Sequence, residues 1–129
     1  MNKKDLLDKL IARAEQSKEA KVKVMEFTTE TLGEVKVVIP ETKKLLGLID
    51  DAQDCETMYE QTLVDAEIVY SAIPAIKEIL PELKKAYDES DPAVIVFKLF
   101  EDASAIGELN DLSAKIIAAV GFGKKAVKN

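Results

Sequence analysis

The longest helical pattern in the sequence lies between residues 56 and 87, and its first part has two apolar sides. Apolar residues at steps of three and four predict a helix from Glu56 to Ile73. A second apolar stripe, on the opposite side, consists of Val64, Ile68 and Ala72. Because a helix with two apolar sides usually lies between two layers of a domain, we expect this one to be central. The first stripe supplies its predicted core residues, which are Tyr59, Leu63, Ala66, Tyr70 and Ile73.

Prolines divide the chain after this helix. Pro74 lacks an amide hydrogen and ends the central helix, and a second proline favours the first turn of a short helix over residues 81–87. The apolar run after Asp91 and Pro92 could be a buried strand on periodicity alone. Its Asp-Pro start and the following Lys98 favour instead a nearly buried helix of about ten residues.

A final helix is predicted near the end of the chain. Either Asp102 or Ser104 can cap its first turn. Its inner side carries Leu109 and Ile116, which we predict to be core residues. Gly121 is placed to end the helix in the left-handed conformation.

The N-terminal region is predicted to contain a helix over residues 1–20 and a β-hairpin over residues 21–39. The helix begins at Asn2 or Asp5 and has an apolar stripe that ends at Ala14, so it either frays or requires a partner. The hairpin follows from alternating apolar and polar residues, and it must lie on helices or pair with another chain, since a lone hairpin is barely stable. The apolar stripe of the helix consists of Leu6, Leu7, Leu10, Ile11 and Ala14.

These elements predict a mainly α (α+β) fold, a compact helical domain of about five to six helices with one small β-hairpin near the N-terminus. A chain of 129 residues that is 47% hydrophobic and 33% charged suits one globular domain. We therefore expect a single domain over residues 1–129. Within it, residues 1–20 form a mobile N-terminal helix and residues 122–129 a polar tail.

The net charge of −6 is spread unevenly. Residues 1–25 carry seven Lys or Arg against four acids, whereas residues 41–70 carry eight acids against two lysines. One interpretation is self-association or an electropositive partner; the other is a solvated face near a loop. The candidate interaction surface combines the spare apolar residues of the N-terminal region with the acidic segment. It consists of Leu6, Leu10, Val22, Val24, Asp50, Asp51, Asp54 and Glu60.

The residue types needed for common chemistry are missing from the sequence. It has no histidine and a single cysteine, Cys55, whose neighbours Asp54 and Glu56 should raise its pKa, so we interpret it as structural. We predict no catalytic residues, no cofactor and no metal site. The negative balance disfavours nucleic acid as a partner, and the lack of an 18-residue apolar run disfavours a membrane. The protein is expected to be soluble and intracellular.

Several stretches together resemble the tail assembly chaperones encoded by phages and prophages of Gram-positive bacteria. They are YEQTLVDAEIVYSAIPAIKEILPELKKAY, then DP and KLFE, then GELNDLSAKI followed by GFG. The resemblance covers most of the chain and consists of packing residues. The segment FEDASAIGEL is a few residues longer than the link usual in the family.

This resemblance implies a non-enzymatic protein of the bacterial host's cytoplasm that binds the tape measure protein before the tail tube assembles around it. It also implies, as a further partner, a longer frameshifted form of the protein itself. A homo-oligomer is expected on other grounds, namely an unpaired hairpin edge, basic termini and an acidic middle. Gly123, Lys124 and Lys125 are compatible with a slippery heptamer in the gene. The alternatives are a structural tail-completion or connector protein of a phage, or a small cellular helical adaptor.

Overall fold

The computed structural model describes residues 2–19 and 23–121, with side chains for residues 2–16 and 23–121. In this part of the chain, seven helices and one antiparallel two-stranded sheet follow one another. The elements are α1 (Lys3–Glu19), β1 (Val24–Thr29), β2 (Gly33–Val38), α2 (Thr42–Asp54), α3 (Met58–Ala72), α4 (Pro74–Glu78), α5 (Leu80–Tyr87), α6 (Pro92–Asp102) and α7 (Ile106–Ala118).

The predicted mainly α fold with an N-terminal hairpin is confirmed, and α4 is a helix that the sequence pattern did not predict. Pro74 does end α3, but it also occupies the first turn of α4. Its fixed φ angle and missing amide suit that position, because the first amides of a helix have no intrahelical partner. One proline therefore both stops a helix and starts the next one.

The central position predicted for α3 is confirmed. This helix packs against α2, α6 and α7, and its buried side chains belong to one hydrophobic cluster shared with those helices and β2. Thr57 caps it: the Thr57 hydroxyl accepts a hydrogen bond from the Glu60 amide at 3.1 Å and donates one to the Glu60 carboxylate at 3.0 Å. Its buried residues are Val64, Ala66, Ile68, Val69 and Ala72.

The stripe chosen as the core side of α3 is less buried than the opposite one. The prediction that Tyr59 belongs to the core is wrong, since 51% of its surface is exposed. Leu63 and Tyr70 are half-buried. The reason is positional: Tyr59 lies in the first turn of α3, where its ring reaches only the edge of α6. The other predicted core residues are confirmed as buried, namely Ala66, Ile73, Leu109 and Ile116.

The hairpin lies on the helices, which was one of its two predicted outcomes. Its strands pair in register from Val24 with Val38 to Thr29 with Gly33. Met25, Phe27 and Val35 pack against the helical core, and the turn is fixed to α7 by Glu108.

The predicted caps of the last helix are wrong. Asp102 is the last residue of α6, and Ser104 has a positive φ of 54°, so neither side chain caps α7. The Ser104 and Ala105 amides donate to the Glu101 and Phe100 carbonyls at 2.9 and 2.8 Å, and this pattern closes the end of α6. Ser104 is thus part of a helix end. Gly121 has the positive φ that was predicted, at 106°.

Candidate interaction surfaces

Helix α1 is formed by local interactions. The Asn2 side chain accepts a hydrogen bond from the Asp5 amide at 2.9 Å, so Asn2 is the cap that the sequence left undecided between these two residues. Every side chain from Asn2 to Gln16 is exposed. The helix therefore buries no side chain of this segment against the rest of the chain.

The apolar side of α1 is exposed along two turns. Leu6 is 46% exposed, Leu7 57%, Leu10 48% and Ile11 47%. These residues, called the α1 stripe below, follow one another at helical spacing and lie on one face. A contiguous apolar face that is left exposed typically marks an interaction site. The α1 stripe is the strongest such feature among the described residues, because the other exposed large apolar residues do not share a helix face at this spacing.

Carboxylates gather where α2 ends and α3 begins. The acidic surface, as we call it, consists of Asp50, Asp51, Asp54, Glu56 and Glu60, all exposed. Three of them lie in the last turns of α2, where the helix dipole disfavours negative charge. Among the described residues no Lys or Arg approaches any of these carboxylates within 4.0 Å. The ion pair that the described residues do form lies elsewhere, in α7, between Lys115 and Asp111.

Two large apolar side chains lie in the same stretch as these carboxylates. Met58 is 82% exposed and Tyr59 is 51% exposed. The Tyr59 ring packs edge-on against Phe97 of α6, with 5.2 Å between ring centroids and 86° between ring planes. This contact holds the Tyr59 ring in place and leaves its outer part accessible.

Cys55 lies within the acidic surface and has no activating neighbour there. Its pKa is raised by partial burial first, and then by the negative charges of Glu60, Asp51 and Asp54. The predicted influence of Asp54 is thus present, whereas Glu56 is not among the causes. The thiol donates a hydrogen bond to the Asp51 carbonyl at 3.1 Å. A raised pKa keeps the group protonated and unreactive at neutral pH.

Glu108 joins the hairpin turn to α7. Its carboxylate accepts hydrogen bonds from the Glu30 and Thr31 amides at 2.8 and 3.0 Å. The pKa of Glu108 is lowered, chiefly by the neighbouring Thr31 side chain and then by these amides. The Thr31 hydroxyl lies beside the carboxylate without reaching hydrogen-bonding geometry, and it is buried without a partner among the described residues.

A shallow cleft between α2, α3 and α7 contains one ionisable group. Asp65 is one of its lining residues and accepts a hydrogen bond from the fully buried Ser113 hydroxyl at 2.8 Å. Burial raises the pKa of Asp65, and the hydrogen bond from Ser113 partly offsets this effect. A single carboxylate has a structural use here: it satisfies Ser113 inside the helix packing.

The predicted interaction residues lie on separate elements. Asp50, Asp51, Asp54 and Glu60 are brought together by the α2–α3 connection, and Leu6 and Leu10 lie on α1. Val24 begins β1 and is 49% exposed, while Val22 lies outside the described residues, as does the predicted frameshift position. Leu7, Ile11, Met58 and Glu108 are not among the predicted interaction residues. Leu7 and Ile11 were signalled by the same periodicity as Leu6 and Leu10. Met58 belongs to the apolar pattern of the central helix, and Glu108 is signalled by no local pattern.

No group of His, Cys, Asp and Glu in the described part of the chain is arranged to hold a metal ion. Over the same residues, no helix has both the length and the apolar character needed to cross a membrane. No family model, curated protein or solved structure matches the chain.

Proposed function

We propose that this protein is a non-enzymatic phage tail assembly chaperone, which binds the tape measure protein and keeps it soluble in the cytoplasm of the bacterial host. The observation that carries the proposal is the α1 stripe, an amphipathic helix whose apolar face is exposed over two turns. The sequence resemblance described above names the client.

The physical need for such a protein follows from the nature of the client. A very long helical chain with apolar segments aggregates while its partners are missing. A small protein can cover those segments by laying an amphipathic helix against them, as in other helix-to-helix recognition. Several copies along one client would give many weak contacts, and their combined effect would be strong.

The gene neighbourhood is the simplest test of this proposal. A major tail protein gene upstream and a very large coiled-coil gene downstream are expected. Without them, the cellular adaptor becomes the better hypothesis. A tail-completion protein would instead be found in purified virions, whereas an assembly chaperone would be absent from them.

The direct test is coexpression with the protein encoded by the downstream coiled-coil gene. We expect the soluble fraction of that client to rise with the wild-type protein and to fall back with Ile11→Ser in α1. The matched control is Ile79→Ser, because Ile79 is 50% exposed and Ile11 is 47% exposed. A client equally insoluble with and without the wild-type protein would overturn the function, and equal losses from both variants would overturn the role of α1.

A further inference from the structure

We propose that in the free protein the α1 stripe packs on the acidic surface of a second copy, so that two copies exchange their N-terminal helices around a two-fold axis. The inference rests on the proposed function only because the same stripe would later bind the client. It concerns what covers this stripe before any client is present.

The first support is the state of α1 itself. A helix of 17 residues is marginal in water when it packs against nothing, because most helical stability comes from burying an apolar face. The side chains described in α1 are all exposed in the single chain. Its order and its apolar face therefore both favour a partner outside the chain.

The second support is charge complementarity. Lys9 and Arg13 are one turn apart on α1, and both lie next to Leu6 or Leu10 at helical spacing. Neither forms an ion pair within the described residues, and the carboxylates of the acidic surface form none either. Opposite charges that both lack partners in one chain are suited to meet between two chains.

The third support is the apolar content of the acidic surface. Met58 and Tyr59 lie between Glu56 and Glu60 in the chain and are exposed, and the Tyr59 ring is held by Phe97. A stable interface needs an apolar centre with charged residues at its rim. That centre would form where Leu6 and Leu10 of one copy pack on Met58 and Tyr59 of the other. Lys9, Arg13 and the carboxylates of the acidic surface would lie around it.

The size of the contact indicates why the exchange must be reciprocal. Stable interfaces take about 20–30 residues from each partner. Helix α1 has 17 residues and presents one face, so a single docked helix falls short. In a two-fold exchange each copy supplies both a helix and an acidic surface, which doubles the contact and closes the assembly.

The experiment is a charge reversal tested in both copies. Lys9→Glu/Arg13→Glu and Asp50→Lys/Asp54→Lys change exposed residues only, so the far-UV circular dichroism spectra of the variants should match that of the wild type. In sedimentation equilibrium of the full chain at low salt, each variant alone should associate at least about tenfold more weakly than the wild type. Mixed in equal amounts, the two variants should associate like the wild type, because both contacts of the hetero-pair are again between opposite charges.

The matched control is Lys84→Glu/Lys85→Glu in α5, which reverses two exposed lysines elsewhere and should leave association unchanged. High salt should weaken wild-type association, since exposed charges are screened. A wild-type protein that stays monomeric at all concentrations overturns the proposal. So does an acidic-surface variant that associates normally, or a mixture that does not recover. None of these results involves the client, so client solubility in coexpression still decides the proposed function separately.

Discussion

Helices α3 and α1 have similar lengths, 15 and 17 residues, and both carry apolar residues at helical spacing. They differ in what covers those residues. In α3 five side chains are buried by α2, α6 and α7, whereas the four large apolar residues of the α1 stripe are about half exposed. An apolar pattern thus specifies a helix and its apolar face, but not the surface against which this face packs.

The two helices therefore have different tasks. The core formed around α3 supplies the stability of the fold, since burial of apolar surface is the main favourable term in folding. The stripe of α1 contributes little to that stability and is available for binding. Substitutions that separate stability from binding can test this division.

The largest effect is expected for a charge placed in α3. Ile68 is 1% exposed, so Ile68→Asp would bury an unpaired carboxylate at a cost of several kcal/mol, a large share of a domain's stability of about 5–15 kcal/mol. We expect loss of the cooperative thermal transition in circular dichroism. The same change in α1, Ile11→Asp, should leave the transition in place. If both variants melted like the wild type, α3 would not be the core of the protein.

The features predicted from sequence share one property: they depend on local rules. Asp91 accepts a hydrogen bond from the Ala93 amide at 3.0 Å and starts α6 with Pro92, as the Asp-Pro pattern predicted. The hairpin followed from alternation, and α3 from its two apolar sides. Each of these signals is contained in fewer than twenty consecutive residues.

The features missed depend on contacts between distant segments. Glu108 lies 77 residues after Thr31, whose amide it binds in the hairpin turn. Ser113 lies 48 residues after Asp65, its hydrogen-bond partner. Tyr59 fitted an apolar stripe, yet its place at the start of α3 leaves it at the edge of the packing. The proposed partner of the α1 stripe belongs to the same class, because a sequence shows an apolar face without the surface that would cover it.

A smaller effect is expected from the polar contact that fixes the hairpin. Glu108→Gln removes the charge of the carboxylate that accepts hydrogen bonds from the Glu30 and Thr31 amides. We expect the free energy of unfolding, measured in urea at neutral pH, to fall by about 1 kcal/mol. Glu26→Gln, an exposed change in β1, should cost less than about 0.5 kcal/mol.

The pH dependence of this loss follows from the sign of the shift. The folded pKa of Glu108 lies below its unfolded value of about 4.3, so its contribution is complete above that value and is lost as the pH falls through the folded pKa. The two proteins should therefore become equally stable in strong acid. A difference that persists there would mean that packing, and not the charge, is responsible.

A small gain is expected from Asp65→Asn. The amide oxygen can still accept the Ser113 hydrogen bond, and the cost of burying a charge disappears. Because solvent reaches part of this carboxylate, we expect a gain of less than about 1 kcal/mol at neutral pH. Glu67→Gln, an exposed change in the same helix, is the control.

The sign of the Asp65 effect also gives its pH window. The folded pKa of Asp65 is raised, so the wild type carries the burial cost above that pKa and loses it as the pH falls through the folded value towards the unfolded value of about 3.9. The advantage of the variant should therefore shrink on acidification. An advantage that grew in acid would contradict the raised pKa.

The smallest effect on folding is expected from the most exposed residue of the α1 stripe. Leu7 is 57% exposed, so Leu7→Ser should change the free energy of unfolding by less than about 0.5 kcal/mol at low protein concentration. Association between copies stabilises the folded state by mass action, so the difference from the wild type should grow as the protein concentration is raised. Unfolding in urea at several protein concentrations measures both quantities. A difference above about 1 kcal/mol that did not depend on concentration would mean that α1 packs on its own chain, and the contrast between α1 and α3 would fail.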